Sequence, residues 1–255
     1  MKIGIIGGTG FYNLIDGMEE QAITTNYGDV HVYRAYKGNN EVIFLPRHGK
    51  YHDKLAPQVN YRANMKALRM LEVDRVVAVT AVGAINKKFT LGTIAILDQF
   101  IDFTTRIRTY GKFSADINNP FCPEMQKIII QAAKNIGQKL EKEAKLICVE
   151  GPRYETKAEI ELFHQWGMDV VGMTTSTEAS LARELGICYA AVAHVTNMAA
   201  GISDQKLSLK AHKEAGKINN QKLKELITEA LELMKPRESC SCIEPYEKAV
   251  LAGKI

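Results

Sequence analysis

Apolar positions along this chain fall into short runs that alternate with longer, periodically apolar stretches. Runs rich in Val and Ile and bounded by Gly, Asp or Asn cover 2–7, 29–36, 41–46, 74–80, 92–98, 144–150, 168–172 and 187–196, and each reads as a strand. Helical spacing predicts helices over 58–71, 123–141, 156–166, 177–185 and 209–234; in the last, Ile218, Leu223, Leu226, Ile227, Leu231 and Met234 recur near that period. Strands alternating with helices predict an α/β protein: a mixed, mostly parallel central sheet with flanking helices. No Pro/Gly/Ser-rich linker or internal repeat divides the chain, so 1–255 is expected to be a single domain, with 236–255 a candidate C-terminal tail.

Composition narrows the class. With 255 residues, 46% hydrophobic and 24% charged, one sizeable core is expected. No apolar stretch approaches the roughly 20 residues that span a bilayer, and the N-terminus enters a strand at once without a leader, so no membrane partner and a cytoplasmic location are expected. The net charge of +4 is spread over Lys/Glu-alternating helices. No Arg stripe with interleaved aromatics favours a nucleic acid, and an anionic small substrate suits the balance as well. Cys122, Cys148 and Cys188 read as small core residues. Cys240-Ser241-Cys242 has neither the CxxC redox spacing nor the second pair a zinc site would need; a disulfide and two thiols without catalytic role both stay open.

Several strand ends carry anion chemistry. Gly4-Ile5-Ile6-Gly7-Gly8-Thr9-Gly10 leaves a strand into a glycine-rich turn whose backbone N–H groups can approach an anion, with the Thr9 hydroxyl beside them. It lacks the Lys-Ser/Thr of a Walker loop and the third glycine of a dinucleotide fingerprint. Leu45-Pro46-Arg47-His48-Gly49 offers a planar guanidinium fork and an imidazole donor. Thr80-Ala81 in Val79–Ala84 and Thr174 in Gly172–Glu178 end further strands, where α/β proteins place ligands; Ser176 or Thr177 could instead cap the following helix. Thr9, Arg47, His48, Thr80 and Thr174 thus suggest one tetrahedral-anion site. No Asp/Glu/His cluster has metal-ligand spacing, so no metal is expected.

A second constellation reads a purine edge. Glu155 in Gly151-Pro152-Arg153-Tyr154-Glu155-Thr156 can accept from N1–H, and Asn197 in His194-Val195-Thr196-Asn197-Met198-Ala199-Ala200 can donate to O6, the pattern of a 6-oxopurine rather than a 6-aminopurine.

Taken in order, Gly7-Gly8-Thr9-Gly10, Arg47-His48-Gly49, Val59–Asn64, Asp98–Asp102, Glu150–Arg153 and Met173-Thr174-Thr175 resemble the trimeric branch of purine nucleoside phosphorylases, most closely its methylthioadenosine phosphorylase subgroup. The resemblance implies the nucleoside phosphorylase fold, with phosphate held by Thr9, Arg47, His48, Thr80, Ala81 and Thr174, ribose against Met173 and base against Tyr154. It also implies inorganic phosphate as co-substrate with no cofactor, and a homotrimer or homohexamer. Where methylthioadenosine enzymes carry a small hydroxyl residue and two aspartates, this chain has Glu155, Asn197 and Ala199. The histidine that those enzymes place before a Pro-Phe-Cys-Pro is absent ahead of Pro120–Pro123. The resemblance therefore implies phosphorolysis of inosine or guanosine, with methylthioinosine or methylthioadenosine as the alternative and Asn197 and Glu155 as catalytic residues.

Overall fold

The computed structural model describes residues 1–8, 17–203 and 209–254, the side chains of 209–220 excepted. Its strands are β1 (Lys2–Gly7), β2 (Glu19–Thr25), β3 (Gly28–Lys37), β4 (Asn40–Pro46), β5 (Arg75–Ala84), β6 (Ile94–Phe103), β7 (Glu141–Val149), β8 (Val170–Gly172) and β9 (Cys188–Met198). The helices are α1 (Tyr61–Met70), α2 (Pro123–Asn135), α3 (Lys157–Gln165), α4 (Thr175–Glu184), α5 (Leu209–Leu233) and α6 (Glu244–Leu251). One sheet runs β2-β3-β4-β1-β5-β8-β7-β6-β9, and β9 also pairs with β5, so the last five strands close into a ring. Closure leaves those strands no free edge.

Alternation along β5 builds the core on both faces, because successive side chains of a strand point opposite ways. Val76 and Ala78 pack with Met65 and Leu68 of α1 and Leu181 of α4. Val77 and Val79 pack on the other side with Met125 and Ile129 of α2 and Leu223, Leu226, Ile227 and Leu231 of α5. The side chain of Ile218 lies outside the described residues. A smaller cluster of Ile85, Ile147, Val149, Ile160, Phe163 and Ala199 seats α3.

The sheet mixes directions: β1 runs parallel to β4 and β5, while β8 runs antiparallel to β5. That antiparallel pairing positions the site. It begins at Ala84 and Gly83, so β8 travels back along β5 and an added Cβ at Gly172 would sit 3.4 Å from Val82 and 3.9 Å from the Ala81 carbonyl oxygen. The residues after β8 are thereby delivered to the middle of β5.

Several expectations are corrected. Strand β2 escapes the apolar pattern because it is an edge strand with few buried side chains, chiefly Ile23 and Thr25. The helix expected over 123–141 stops at Asn135; Gly137, at φ +65°, takes the left-handed turn that follows a helix end, and β7 starts at Glu141. Residues of the 236–255 segment form a 3-10 turn at Ser241–Ile243 and α6, burying Cys242 and Ala249. Among the described residues no helix is long and apolar enough to cross a membrane.

Candidate active site

The anion-binding candidates meet where β1, β4 and β5 end and β8 returns. The Arg47 N–H donates to the Gly7 carbonyl at 3.0 Å, which sets the Arg47-His48 turn beside the glycine-rich turn. Ile6 is in register with Ala78, so Gly8 lies near the level of Thr80. Thr9 itself lies outside the described residues. Arg47 is buried, with 3% exposure, and its Nη1 donates to the Val79 carbonyl at 2.8 Å. Thr80 is buried and Ala81 exposed on the same strand.

Arg47 does not hold its fork open. Its Nε and Nη2 donate to the two carboxylate oxygens of Glu178, at 2.5 and 3.0 Å, and the Tyr189 hydroxyl donates to the same carboxylate at 2.7 Å. The guanidinium is thus shared: a buried cation needs a counter-charge, and Glu178 supplies it. Burial opposes the charge on Arg47, but the Glu178 carboxylate outweighs it and holds the group protonated. Two of the five guanidinium N–H groups remain for an anion. Removing either partner of such a buried pair costs about 3–5 kcal/mol.

Glu178 stands in the first turn of α4, whose N-cap is Thr174. Neither Ser176 nor Thr177 is the cap, and the Thr174 side chain makes no capping bond. The hydroxyls of Thr174, Thr175 and Thr177 are buried without a hydrogen-bond partner. Each such group costs about 1–3 kcal/mol if left unmet. Together with the unpaired N–H groups of a helix N-terminus, they suit an anion placed there. Arg47 and Thr174 thus share one neighbourhood, joined through Glu178.

His48 is half-buried, and its Nδ1 lies 2.9 Å from the Lys54 carbonyl oxygen. A carbonyl only accepts, so Nδ1 carries the proton and Nε2 of the neutral ring presents a lone pair. Burial, reinforced by the Arg47 charge, pulls the His48 pKa down to about 4. At neutral pH the ring's one donor is turned to Lys54, and Nε2 is left as an acceptor.

The base-edge candidates lie on segments that follow β7 and close β9. Asn197, next to the last residue of β9, sits opposite Gly83, just past a bulge in the β5–β9 register, and an added Cβ at Gly83 would stand 3.0 Å from its Nδ2. Its Oδ1 accepts from the Thr196 hydroxyl at 3.2 Å and its Nδ2 donates to the Met198 carbonyl at 3.1 Å, leaving one amide N–H. Glu155 lies in the loop before α3, next to the capping box of Thr156 and Glu159. It is half-buried, and burial raises its pKa. Two contacts bring these segments together. Gly201, beyond Asn197, would meet Lys157 at 3.2 Å, and Gly151, ahead of Glu155, would meet Met173 Sδ at 2.5 Å. Tyr154 is 39% exposed on the same loop, whereas Ala199 is buried and donates its N–H to the Ala84 carbonyl at 2.8 Å.

Arg106 fastens the two halves, a role that the sequence pattern did not reveal. Its Nε donates to Glu150 at 2.9 Å and its Nη1 to the Tyr61 hydroxyl at 2.9 Å, with further bonds to the Met173 and Glu150 carbonyls. Glu178 and Tyr189 were missed as well. An acidic residue three positions into a helix that follows a hydroxyl-rich turn was the available signal for Glu178; nothing along the chain links it to Tyr189.

The chain belongs to the phosphorylase superfamily, whose family model matches residues 2–232. It is 42% identical to the 6-oxopurine nucleoside phosphorylase of Pyrococcus furiosus, over 97% of this chain and 98% of that protein. It is 38% identical to the S-methyl-5'-thioadenosine phosphorylase of Pyrococcus abyssi, over 95% of this chain and 96% of that protein. The methylthioadenosine phosphorylase of Schistosoma mansoni, solved with adenine, superposes with a TM-score of 0.92 at 29% identity, covering 99% of this chain and 98% of that one. The architecture is the nucleoside phosphorylase fold, and the chain is an enzyme of that family.

Proposed function

We propose that this enzyme cleaves the N-glycosidic bond of 6-oxopurine nucleosides with inorganic phosphate, releasing the base and ribose 1-phosphate. The observation that carries the reading is the contact of the segment after β9 with the start of α3, where an added Cβ at Gly201 would stand 3.2 Å from Lys157: it supports bringing Asn197 and Glu155 to one base, whose O6 and N1–H a carboxamide donor and a carboxylate acceptor match. Phosphate lies at the N-terminus of α4 with Thr174, Thr80, the Ala81 backbone, Arg47, His48 and Thr9. Met173 and Tyr154 line the ribose and base, with Ala199 behind them.

As the bond to N9 lengthens, positive charge grows on the ribosyl group and negative charge on the purine. Bound phosphate stabilises the first and attacks C1′. Asn197 donates to O6 and accepts from a protonated N7, while Glu155 holds N1–H. Both contacts strengthen as the ring becomes negative, so they act on the transition state rather than on substrate alone. No cofactor enters this chemistry.

A second reading, phosphorolysis of methylthioinosine or methylthioadenosine, draws support from the likeness to methylthioadenosine phosphorylases. Homotrimer or homohexamer assembly in the cytoplasm completes the proposal. An exposed apolar patch supports a subunit contact: Phe103 and Trp166 stack edge to face at 6.0 Å while 54% and 44% exposed.

The test is base release from inosine, guanosine, adenosine, methylthioinosine and methylthioadenosine, each with and without phosphate. Phosphate-dependent release from the 6-oxopurines, ahead of the 6-aminopurines by tenfold or more (about 1.4 kcal/mol), is expected. Release that ignores phosphate, or that favours adenosine, contradicts the reading.

A further inference from the structure

Four of the five cysteines gather away from this chemistry. Cys122 is the N-cap of α2, Cys188 opens β9, and after α5 Cys240 precedes the 3-10 turn that contains Cys242. All four Sγ atoms lie within 4.8 Å of one another, with Cys188 and Cys240 at 3.4 Å. Along the chain Cys240-Ser241-Cys242 has no second pair nearby, but the fold supplies one from Cys122 and Cys188. We propose that these four thiols are the ligands of a structural zinc ion.

The geometry points to one mononuclear, all-sulfur centre. Four sulfurs about 2.3 Å from a tetrahedral zinc stand about 3.8 Å apart, which the observed spread accommodates. The same compactness leaves no room for a multi-iron cluster. Cys122, Cys188 and Cys242 are buried, so no coordination position opens to solvent, as in a structural rather than a catalytic site.

The ligands are held before any metal arrives. The Cys122 N–H donates to the Tyr189 carbonyl at 2.8 Å, binding the start of α2 to the start of β9. Glu124, in the first turn of α2, accepts from the Cys240 N–H at 2.6 Å, from the Ser239 N–H, and from Arg75 Nη2 at 2.6 Å. One carboxylate therefore pins the Cys-Ser-Cys turn against the helix that carries Cys122. Arg75 adds an independent sign. It is 1% exposed, lies close enough to Cys188 and Cys122 to interact with their charge, and leaves Nε and Nη1 without a partner. A doubly negative tetrathiolate would meet those N–H groups, as outer-shell donors commonly support thiolate ligands. On binding, each thiol gives its proton to solvent and forms one Zn–S bond, with no change of oxidation state.

Cys188 and Asn197 occupy opposite ends of β9, roughly 30 Å apart at the rise of an extended strand. Metal content can therefore be judged apart from the proposed reaction. The full-length protein should be prepared anaerobically from zinc-supplemented cells and measured by native mass spectrometry and X-ray absorption. One zinc per chain with four sulfurs at about 2.3 Å is expected, with loss of the metal in the Cys240→Ser/Cys242→Ser double variant. If that variant does not fold, cobalt added to the metal-stripped wild type should give tetrahedral thiolate bands that zinc abolishes. A metal-free chain with four alkylatable thiols, a chain lighter by two disulfides among these cysteines, or iron in place of zinc overturns the assignment.

Discussion

At the scale of single residues, the site is set by what neighbouring groups leave unused. Arg47 gives most of its fork to Glu178 and Val79, so it offers an anion a fixed, neutralised corner rather than a free claw. His48 is constrained more sharply, because the Lys54 carbonyl dictates its tautomer. A neighbouring phosphate dianion favours the charged imidazolium and must raise its pKa. NMR titration should find His48 ionising near 4 in phosphate-free protein and clearly higher once phosphate is bound. A free-protein value near the ordinary 6.5, or no movement with phosphate, contradicts this account. Residue types made Arg47 and His48 legible in the sequence. Their hydrogen-bond states were not legible, since Glu178 lies 131 positions from Arg47 and the two meet only through the fold.

At the scale of elements, loops meet because strands return. Strand β8 runs back along β5, carrying Met173 to the Glu155 loop and Thr174 to the middle of β5. Gly151 permits that meeting on two counts: its φ is +68°, and a Cβ there would overlap Met173 Sδ. Gly151→Ala therefore costs about 1–2 kcal/mol of backbone strain and displaces Met173. Initial-rate kinetics should show the nucleoside KM rising by about tenfold, with the phosphate KM changed much less. Equal changes in both, or none, would remove Met173 from the nucleoside side of the site. The Val- and Ile-rich runs that revealed β1, β4, β5 and β9 have no counterpart in β2, where one face is solvated and only Ile23 is strongly apolar and buried. It also fails at the chain's end, where α6 docks through few contacts, among them Tyr246 over Gly186.

At the scale of the whole molecule, ring closure draws separate motifs towards the candidate site. The pairing of β9 with β5 places Asn197 beside Gly83, while β5's pairing with β8 brings in the anion-binding turn. Strand and helix periodicity exposed the α/β class, and strand-end motifs exposed most candidate residues. Closure left no trace in the sequence, because hydrogen-bonded neighbours in a ring need no common spacing along the chain. The gathering of Cys122, Cys188, Cys240 and Cys242 was hidden for the same reason. Family membership fixes the architecture, whereas the proposed base choice rests on two side chains, and Asn197→Asp probes it most directly. That change exchanges an O6 donor for an acceptor suited to a 6-amino group. The measurement is the ratio of kcat/KM for inosine to that for adenosine, with phosphate, in the wild type and in the variant. A fall of tenfold or more in that ratio, about 1.4 kcal/mol, is the predicted result; an unchanged ratio contradicts a base edge read by Asn197.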